Sequence, residues 1–281
     1  MLCRSADLIA EAHASGSGIA AFNVITLEHV QAVADAARRT GRPAIVQISQ
    51  NAVRHHGGDV MPLAAAVTAA ARGGEMRLAL HLDHVEDMAL LHRTAECGAS
   101  SVMFDASRLP DAENVAATRE AARWAHGQGL FVEAELGEIG GKGSAHTPGV
   151  RTDPADAARF VDETGVDALA VAVGSSHAMV SRTAALDLRL IERISEAVPV
   201  PLVLHGSSGV PHTALRAAVS HGMTKINIGT LLNVSFTRAV RATLAQDPEV
   251  VDPRRYLAPA RDAMTDAVSD CLMALTTSDS P

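Results

Sequence analysis

Aromatic side chains are nearly missing: one Trp, one Tyr and five Phe make up 2% of 281 residues. A nucleic-acid surface needs stacking rings and basic patches, and the formal charge of −8 opposes both, so no nucleic-acid partner is expected. No apolar run reaches the length of a membrane span, although 47% of the chain is hydrophobic. The opening stretch carries Asp7 and Glu11 and has no long apolar segment. No secretory leader, no membrane partner and a cytoplasmic location are therefore expected. Cysteine is sparse, with Cys3, Cys97 and Cys271 far apart and no CxxC spacing, which excludes a thiolate zinc site or a disulfide frame. Lysine is scarcer still. Only Lys142 and Lys225 are present among 24 basic residues, so imine chemistry must use one of these two.

What is abundant is alternation. Strand-like runs at 18–24, 44–49, 77–83, 101–105, 131–136, 167–173, 201–205 and 224–228 alternate with helical stretches at 27–39, 59–72, 86–97, 110–126, 154–164, 188–197, 211–221 and 231–245. Short β-branched or Leu-rich strands, each followed by a helix, signal parallel pairing. Eight such units predict an α/β fold, a closed (β/α)8 TIM barrel. An open doubly wound sheet would place a Gly-rich phosphate loop after its first strand, and the chain reads Asn23-Val24-Ile25-Thr26 there. No linker divides the chain, so residues 1–281 are expected to form one domain. Residues 252–275 are expected to form a terminal helical segment, with 276–281 a frayed tail.

A barrel of this kind works at the carboxyl ends of its strands. His84, Glu135, His177, His205 and Asn227 fall there, on the third, fifth, sixth, seventh and eighth strands. Three histidines at strand tips predict a metal site, with zinc ligands His84, His177 and His205 leaving a position open for substrate. Asp83 and His81 share the inward face of the third strand, with Leu80 and Leu82 on the other. Asp83 is expected to shuttle a proton beside the metal, or else to orient a ligating histidine. Glu133 and Glu135 also share a face. Glu135, nearer the tip, is a candidate for a second metal or for support of the first, and Glu133 for a structural partner inside the barrel.

His205-Gly206-Ser207-Ser208-Gly209 closes the seventh strand, and Asn227-Ile228-Gly229-Thr230 closes the eighth. Small residues before a helix let backbone amides approach an anion. Barrels often hold phosphate between these two loops.

These strings, together with Ala21-Phe-Asn-Val, Val46-Gln-Ile-Ser-Gln, His81-Leu-Asp-His, Val132-Glu-Ala-Glu-Leu-Gly and Asp252-Pro-Arg, resemble the class II, metal-dependent ketose-bisphosphate aldolases along nearly the whole chain. The resemblance implies Zn2+ on His84, His177 and His205, acting as a Lewis acid on a bound ketone. It implies proton transfer by Asp83 at the hydroxyl next to the breaking carbon–carbon bond. It implies a phosphorylated sugar substrate, giving dihydroxyacetone phosphate and an aldehyde such as glyceraldehyde 3-phosphate. Gly206, Ser208, Asn227 and Thr230 would hold the dihydroxyacetone phosphate end, and Asn23 and Ser49 would touch substrate. Arg254 would bind a distal phosphate in a neighbouring subunit of a homodimer or homotetramer. A monovalent cation, Na+ or K+, accompanies the phosphate in many members.

Two departures qualify the match. The family carries an acidic pair beyond the Gly-Gly after the fifth strand, whereas residues 140–149 contain no Asp or Glu. His146 or Lys142 are the candidate replacements, with His146 suited to neutral pH. Ala178 follows His177 where glycine is usual. Three rival readings remain: an imine aldolase using Lys225, a barrel metallohydrolase, and a non-catalytic sugar-phosphate binder. The hydrolase is disfavoured because the first strand lacks a His-x-His.

Overall fold

The computed structural model describes residues 2–72, 76–136, 151–175 and 181–275. Its centre is a closed barrel of eight parallel strands in sequential order. The strands are β1 (Ile19–Asn23), β2 (Ala44–Ser49), β3 (Leu78–Val85), β4 (Ser101–Phe104), β5 (Phe131–Glu135), β6 (Ala168–Ala170), β7 (Leu202–Leu204) and β8 (Met223–Ile228). The seam closes by pairing β1 with β8, Ile19 opposite Lys225 and Ala21 opposite Asn227. The predicted TIM barrel is therefore the observed fold.

Strand periodicity explains the two layers. Leu78, Leu80 and Leu82 of β3 join Val46, Ile48, Val102, Val132, Leu169 and Leu204 in the apolar shell beneath the helices. The alternate residues face inward, and many of them are polar. Gln47, His81, Ser101, Glu133, Lys225 and Asn227 are all buried. Buried polar groups need partners, so this interior is held by hydrogen bonds as well as by packing.

The ring of helices comprises α2 (Leu27–Thr40), α4 (Met61–Ala71), α6 (Asp111–Gly127), α7 (Pro154–Thr164), α8 (Leu188–Ala197), α9 (His212–Ser220) and α10 (Thr230–Gln246). Three shorter or terminal elements complete it. These are α3 (Gln50–His55), α5 (Met88–His92) and α11 (Arg254–Ala274). The α11 helix is the expected terminal segment, and it packs along α2 and α10. Arg39 of α2 anchors it by donating to Ser269 Oγ at 3.1 Å and Asp266 Oδ1 at 2.8 Å. No helix among the described residues is long and apolar enough to cross a membrane.

The structure corrects several boundaries. An unanticipated helix, α1 (Ser5–Ala14), sends Leu8, Ile9 and Ala12 against Ile19, Ala21, Ile45 and Ala79, plugging the amino end of the barrel. The helix expected at 86–97 stops at His92. Thr94, Cys97 and Gly98 are poor helix formers. The chain tightens there into three-residue turns, Arg93 N–H to Leu90 O and Thr94 N–H to Leu91 O. The helix expected from Asp59 begins at Met61, although Asp59 Oδ1 still accepts the Met61 N–H at 3.1 Å. Strand β6 is shorter than 167–173 because the Ala172 peptide turns to Thr152, accepting from its N–H and donating to its Oγ1.

Candidate active site

The mouth at the carboxyl ends of the strands holds a cavity of about 490 Å³. Asp83 and His84 line it together, which strict strand alternation forbids for adjacent residues. The reason is a bulge. The β3–β4 register slips between Leu82 and Val85, and His84 adopts φ +47°, the single positive φ outside glycine among the described residues. A side chain in that region costs conformational energy, and such outliers gather at functional sites. Here the strain swings the imidazole to the same side as the Asp83 carboxylate.

Three groups converge. Asp83, His84 and His205 each offer a ligand atom within 4.8 Å of the other two. The His84 and His205 rings meet edge-on with centroids 4.9 Å apart. A second, overlapping group joins His84 to Asp105 and Glu135. His84 Nδ1 lies 2.7 Å from Asp105 Oδ2, and His205 Nδ1 lies 3.7 Å from Glu135 Oε2. Burial alone would depress the His84 imidazolium, but the charges of Asp83, Asp105 and Glu135 overcome it and raise the group to about 10. Burial would likewise raise Asp105, yet hydrogen bonds from His84 and from Ser107 hold its carboxyl well below the usual range. Two imidazoles and three carboxylates so crowded have the donor chemistry of a divalent-cation site. Asp83 Oδ1 strengthens the fit, being buried without a hydrogen-bond partner among the described residues.

Each member is positioned from below. Gln47 Nε2 donates to Asn23 Oδ1 at 3.2 Å, and Asn23 Nδ2 donates to Asp83 Oδ2 at 2.6 Å. His205 Nε2 lies 2.9 Å from Glu133 Oε1, and Lys225 Nζ donates to Glu133 Oε2 at 2.8 Å. The same ammonium donates to Asn227 Oδ1 at 2.8 Å, while Asn227 Nδ2 sits 3.0 Å from His205 Nε2. Glu133 Oε1, which can only accept, and Asn227 Nδ2, which can only donate, both approach Nε2; the charged carboxylate at the shorter distance takes the Nε2 proton, which leaves Nδ1 facing the mouth. Glu133 thus occupies the interior structural place expected of it. Lys225 is fully buried and ion-paired, and it is not among the described residues lining the cavity. It lacks the exposure an imine-forming amine requires. His81 is sealed deeper in the barrel against Ser101 Oγ, and burial pushes its imidazole far below the ordinary value.

Asn23, Ser49, Gly206, Ser208, Asn227 and Thr230 all line the cavity. Ser49 Oγ also caps α3, accepting from the Ala52 N–H at 3.2 Å. Ser208 Oγ accepts the Leu231 N–H, tying the β7 loop to the start of α10. Gly206 uses φ +68°, natural for glycine, to open that loop. Arg254 is not brought to this cavity. It is exposed and clamps Asp252, Nη2 to Oδ2 at 2.7 Å. His177, Lys142 and His146 lie outside the described residues. Asp105 has no role in the sequence-based assignment, although it closes an apolar run just as Asp83 and Glu135 do.

Comparison with known proteins agrees with this geometry. The family model "Fructose-bisphosphate aldolase class-II" matches residues 3–280. The crystal structure of the YdjI aldolase from Escherichia coli K12 is 30% identical, with TM-score 0.81 over 98% of this chain and 97% of that one. A candidate fructose-1,6-bisphosphate aldolase from Coccidioides immitis is 27% identical, with TM-score 0.83 over 97% and 96% of the two chains. Fructose-bisphosphate aldolase from Campylobacter jejuni, 22% identical, shares the fold with TM-score 0.82 over 98% and 95%. Because the family match and the YdjI likeness both run almost end to end over a barrel whose mouth gathers metal-ligating side chains, the chain belongs to the class II, metal-dependent fructose-bisphosphate aldolase family.

Proposed function

We propose that residues 1–281 act as one barrel domain that cleaves a ketose (bis)phosphate, with Zn2+, into dihydroxyacetone phosphate and an aldehyde such as glyceraldehyde 3-phosphate. The observation that supports this most is the convergence of Asp83, His84 and His205 in one cavity with the β7 and β8 loops. His84 and His205 would hold the zinc, joined by His177. Glu135 and Asp105 would support it or offer the cation a second position. Bound there, the metal supplies Lewis acidity to the ketone.

The chain's own residues do the rest. Gly206, Ser208, Asn227 and Thr230 hold the C1 phosphate, with a monovalent cation, Na+ or K+, beside it. Ser49 and Asn23 contact the sugar. Asp83 takes the proton of the C4 hydroxyl through Oδ1, the C3–C4 bond breaks, and the aldehyde departs. The electron pair left on the ketone half is then protonated at C3, for which His146 and Lys142 are the candidate donors. A cytoplasmic homodimer or homotetramer, with Arg254 serving the neighbouring subunit, completes the reading.

The test is a coupled assay of triose phosphate release over a panel of ketose phosphates. Chelation is expected to lower the rate by about 10³-fold or more, and zinc to restore it. Borohydride with substrate leaves an enzyme of this kind active. The absence of Asp and Glu from 140–149 favours one second reading, a sugar-phosphate binder without turnover. Metal-dependent tritium exchange from dihydroxyacetone phosphate separates the two, since only the aldolase exchanges.

The approach of Gly229 to Asn23 gives a sharper expectation. A methyl on Gly229 would lie 3.3 Å from Asn23 Cβ and 3.4 Å from its Oδ1. Asn23 is the side chain that aims Asp83, and small misplacements of reacting groups are costly. Gly229→Ala is expected to lower kcat/KM about tenfold or more, on the scale of sub-ångström misalignment, with thermal stability little changed.

A further inference from the structure

We propose that Arg54 and Arg108 form a same-chain subsite for an oxyanion, phosphate or carboxylate, carried on the end of the substrate farthest from its C1 phosphate. The inference rests on the aldolase reading and extends it to the substrate's far end.

Barrel topology sets the direction. The phosphate loops follow β7 and β8, and Asn23 adds the tip of β1 beside them. Opposite β7 and β8 in the closed order stand β3 and β4, with β2 beside β3. Arg54 lies in α3, just after β2, and Arg108 lies in the loop between β4 and α6. The metal-ligating cluster lies between these two rims. A ketose gripped at C1 near β7 and β8, with its breaking bond at the cluster, extends its remaining carbons toward β2–β4.

The chemistry of that rim is suited to an anion. Among the described residues lining the cavity, Arg54 and Arg108 are the only arginines. Asp83, Asp105 and Glu135 on the floor offer a terminal anion no positively charged partner. Both guanidiniums already address one carboxylate. Arg54 Nη2 is 3.8 Å from Glu86 Oε2, and Arg108 Nη1 is 3.5 Å from Glu86 Oε1. Glu86 is held in place from behind, where its backbone N–H donates to Gln50 Oε1 at 2.9 Å. These ion pairs are long, and the arginine side chains are 62% and 79% exposed. Exposed pairs of this kind contribute little, so exchanging the contact for a substrate oxyanion sacrifices little. Each guanidinium has five N–H donors in a planar fork that matches phosphate or carboxylate. Arg54 is further steadied by donating from Nη1 to Asn51 Oδ1 at 3.2 Å.

The experiment compares kcat/KM for three ketose 1-phosphates of one stereochemistry, ending in phosphate, in carboxylate and in a neutral hydroxymethyl. The zinc-loaded full chain is expected to prefer an anionic end, and the better of the two anions identifies the natural group. In Arg54→Met/Arg108→Met the anionic-to-neutral ratio is expected to fall by about tenfold or more, the scale of lost charge-assisted hydrogen bonds. Arg54→Lys/Arg108→Lys should retain part of it. Both side chains are exposed, so the variants are expected to fold, which a melting curve verifies. The proposal is overturned if wild type shows no anionic preference, if the double methionine variant keeps the ratio, or if only Arg254→Met abolishes it. Metal-dependent tritium exchange from dihydroxyacetone phosphate, which has no distal group, is measured in parallel. Exchange without distal preference sinks the subsite alone, and absence of exchange and of cleavage sinks the aldolase reading with it.

Discussion

Asp83→Asn is expected to lower kcat by about 10²–10⁴-fold, the range for loss of a positioned acid–base group, while leaving the bound metal in place. The substitution keeps size and shape. The amide oxygen of the new side chain can still accept from Asn23 Nδ2, which now donates to Asp83 Oδ2 at 2.6 Å. What disappears is a group that takes and returns a proton. Oδ1 is the atom at stake, since it is buried at the cavity without a hydrogen-bond partner among the described residues. Asp83 also lies within ligand distance of His84 and His205, so a competing role is direct coordination. Metal content separates the two. If the variant binds zinc stoichiometrically and is slow, Asp83 moves the proton. If zinc and activity vanish together, Asp83 is a ligand and the proton carrier is another group. KM should change little, because the binding contacts on Gly206, Ser208 and Thr230 are untouched.

The barrel was legible because its strands repeat with period two and its helices with period 3.6, and both patterns are local. Asp83 and Glu133 were assigned to the inward face by that alternation alone. His84 was not legible in the same way. Alternation turns it outward, and only the register slip after Leu82 with φ +47° brings it to the cavity. Asp105 carried the strand-end signal but lacked a neighbouring motif to draw attention to it. Arg54 and Arg108 sit on a short helix and a loop, where no period says which way a side chain points. The α1 plug was hidden for a different reason. Its apolar residues, Leu8, Ile9 and Ala12, are few, and their burial depends on contact with the adjacent β1 and with Ile45 and Ala79, which are distant in sequence. Lys225 shows the reverse case. It falls within the strand-like run 224–228, but depth in the barrel is a tertiary property, and depth is what removes it from imine chemistry.

The same buried lysine gives the second large effect. Glu133→Gln is expected to weaken metal binding by about 10–100-fold, the range for losing a partner that orients a ligand. It is also expected to destabilise the fold by about 3–5 kcal/mol, the cost of leaving a buried charge without its partner. Glu133 accepts from Lys225 on one oxygen and from His205 on the other, with all three side chains fully buried. In the glutamine variant the Lys225 ammonium would attract the amide oxygen. The amide NH2 is then forced toward His205 Nε2, which must become an acceptor. The His205 proton moves to Nδ1, the nitrogen that faces the cluster, and a protonated nitrogen cannot ligate. Adding Lys225→Met removes the ammonium that dictates this orientation. The introduced glutamine can then turn its oxygen back to Nε2–H, restoring the original tautomer, and no buried charge remains unpaired. Removing a second buried contact should therefore rescue both metal affinity and melting temperature, a sign of coupling opposite to simple damage. Zinc affinity measured by competition with a chromophoric chelator, alongside thermal unfolding of the metal-free chains, distinguishes the outcomes. A double variant weaker than either single in both measurements would mean that Glu133 and Lys225 merely fill the barrel and leave the His205 tautomer to other groups.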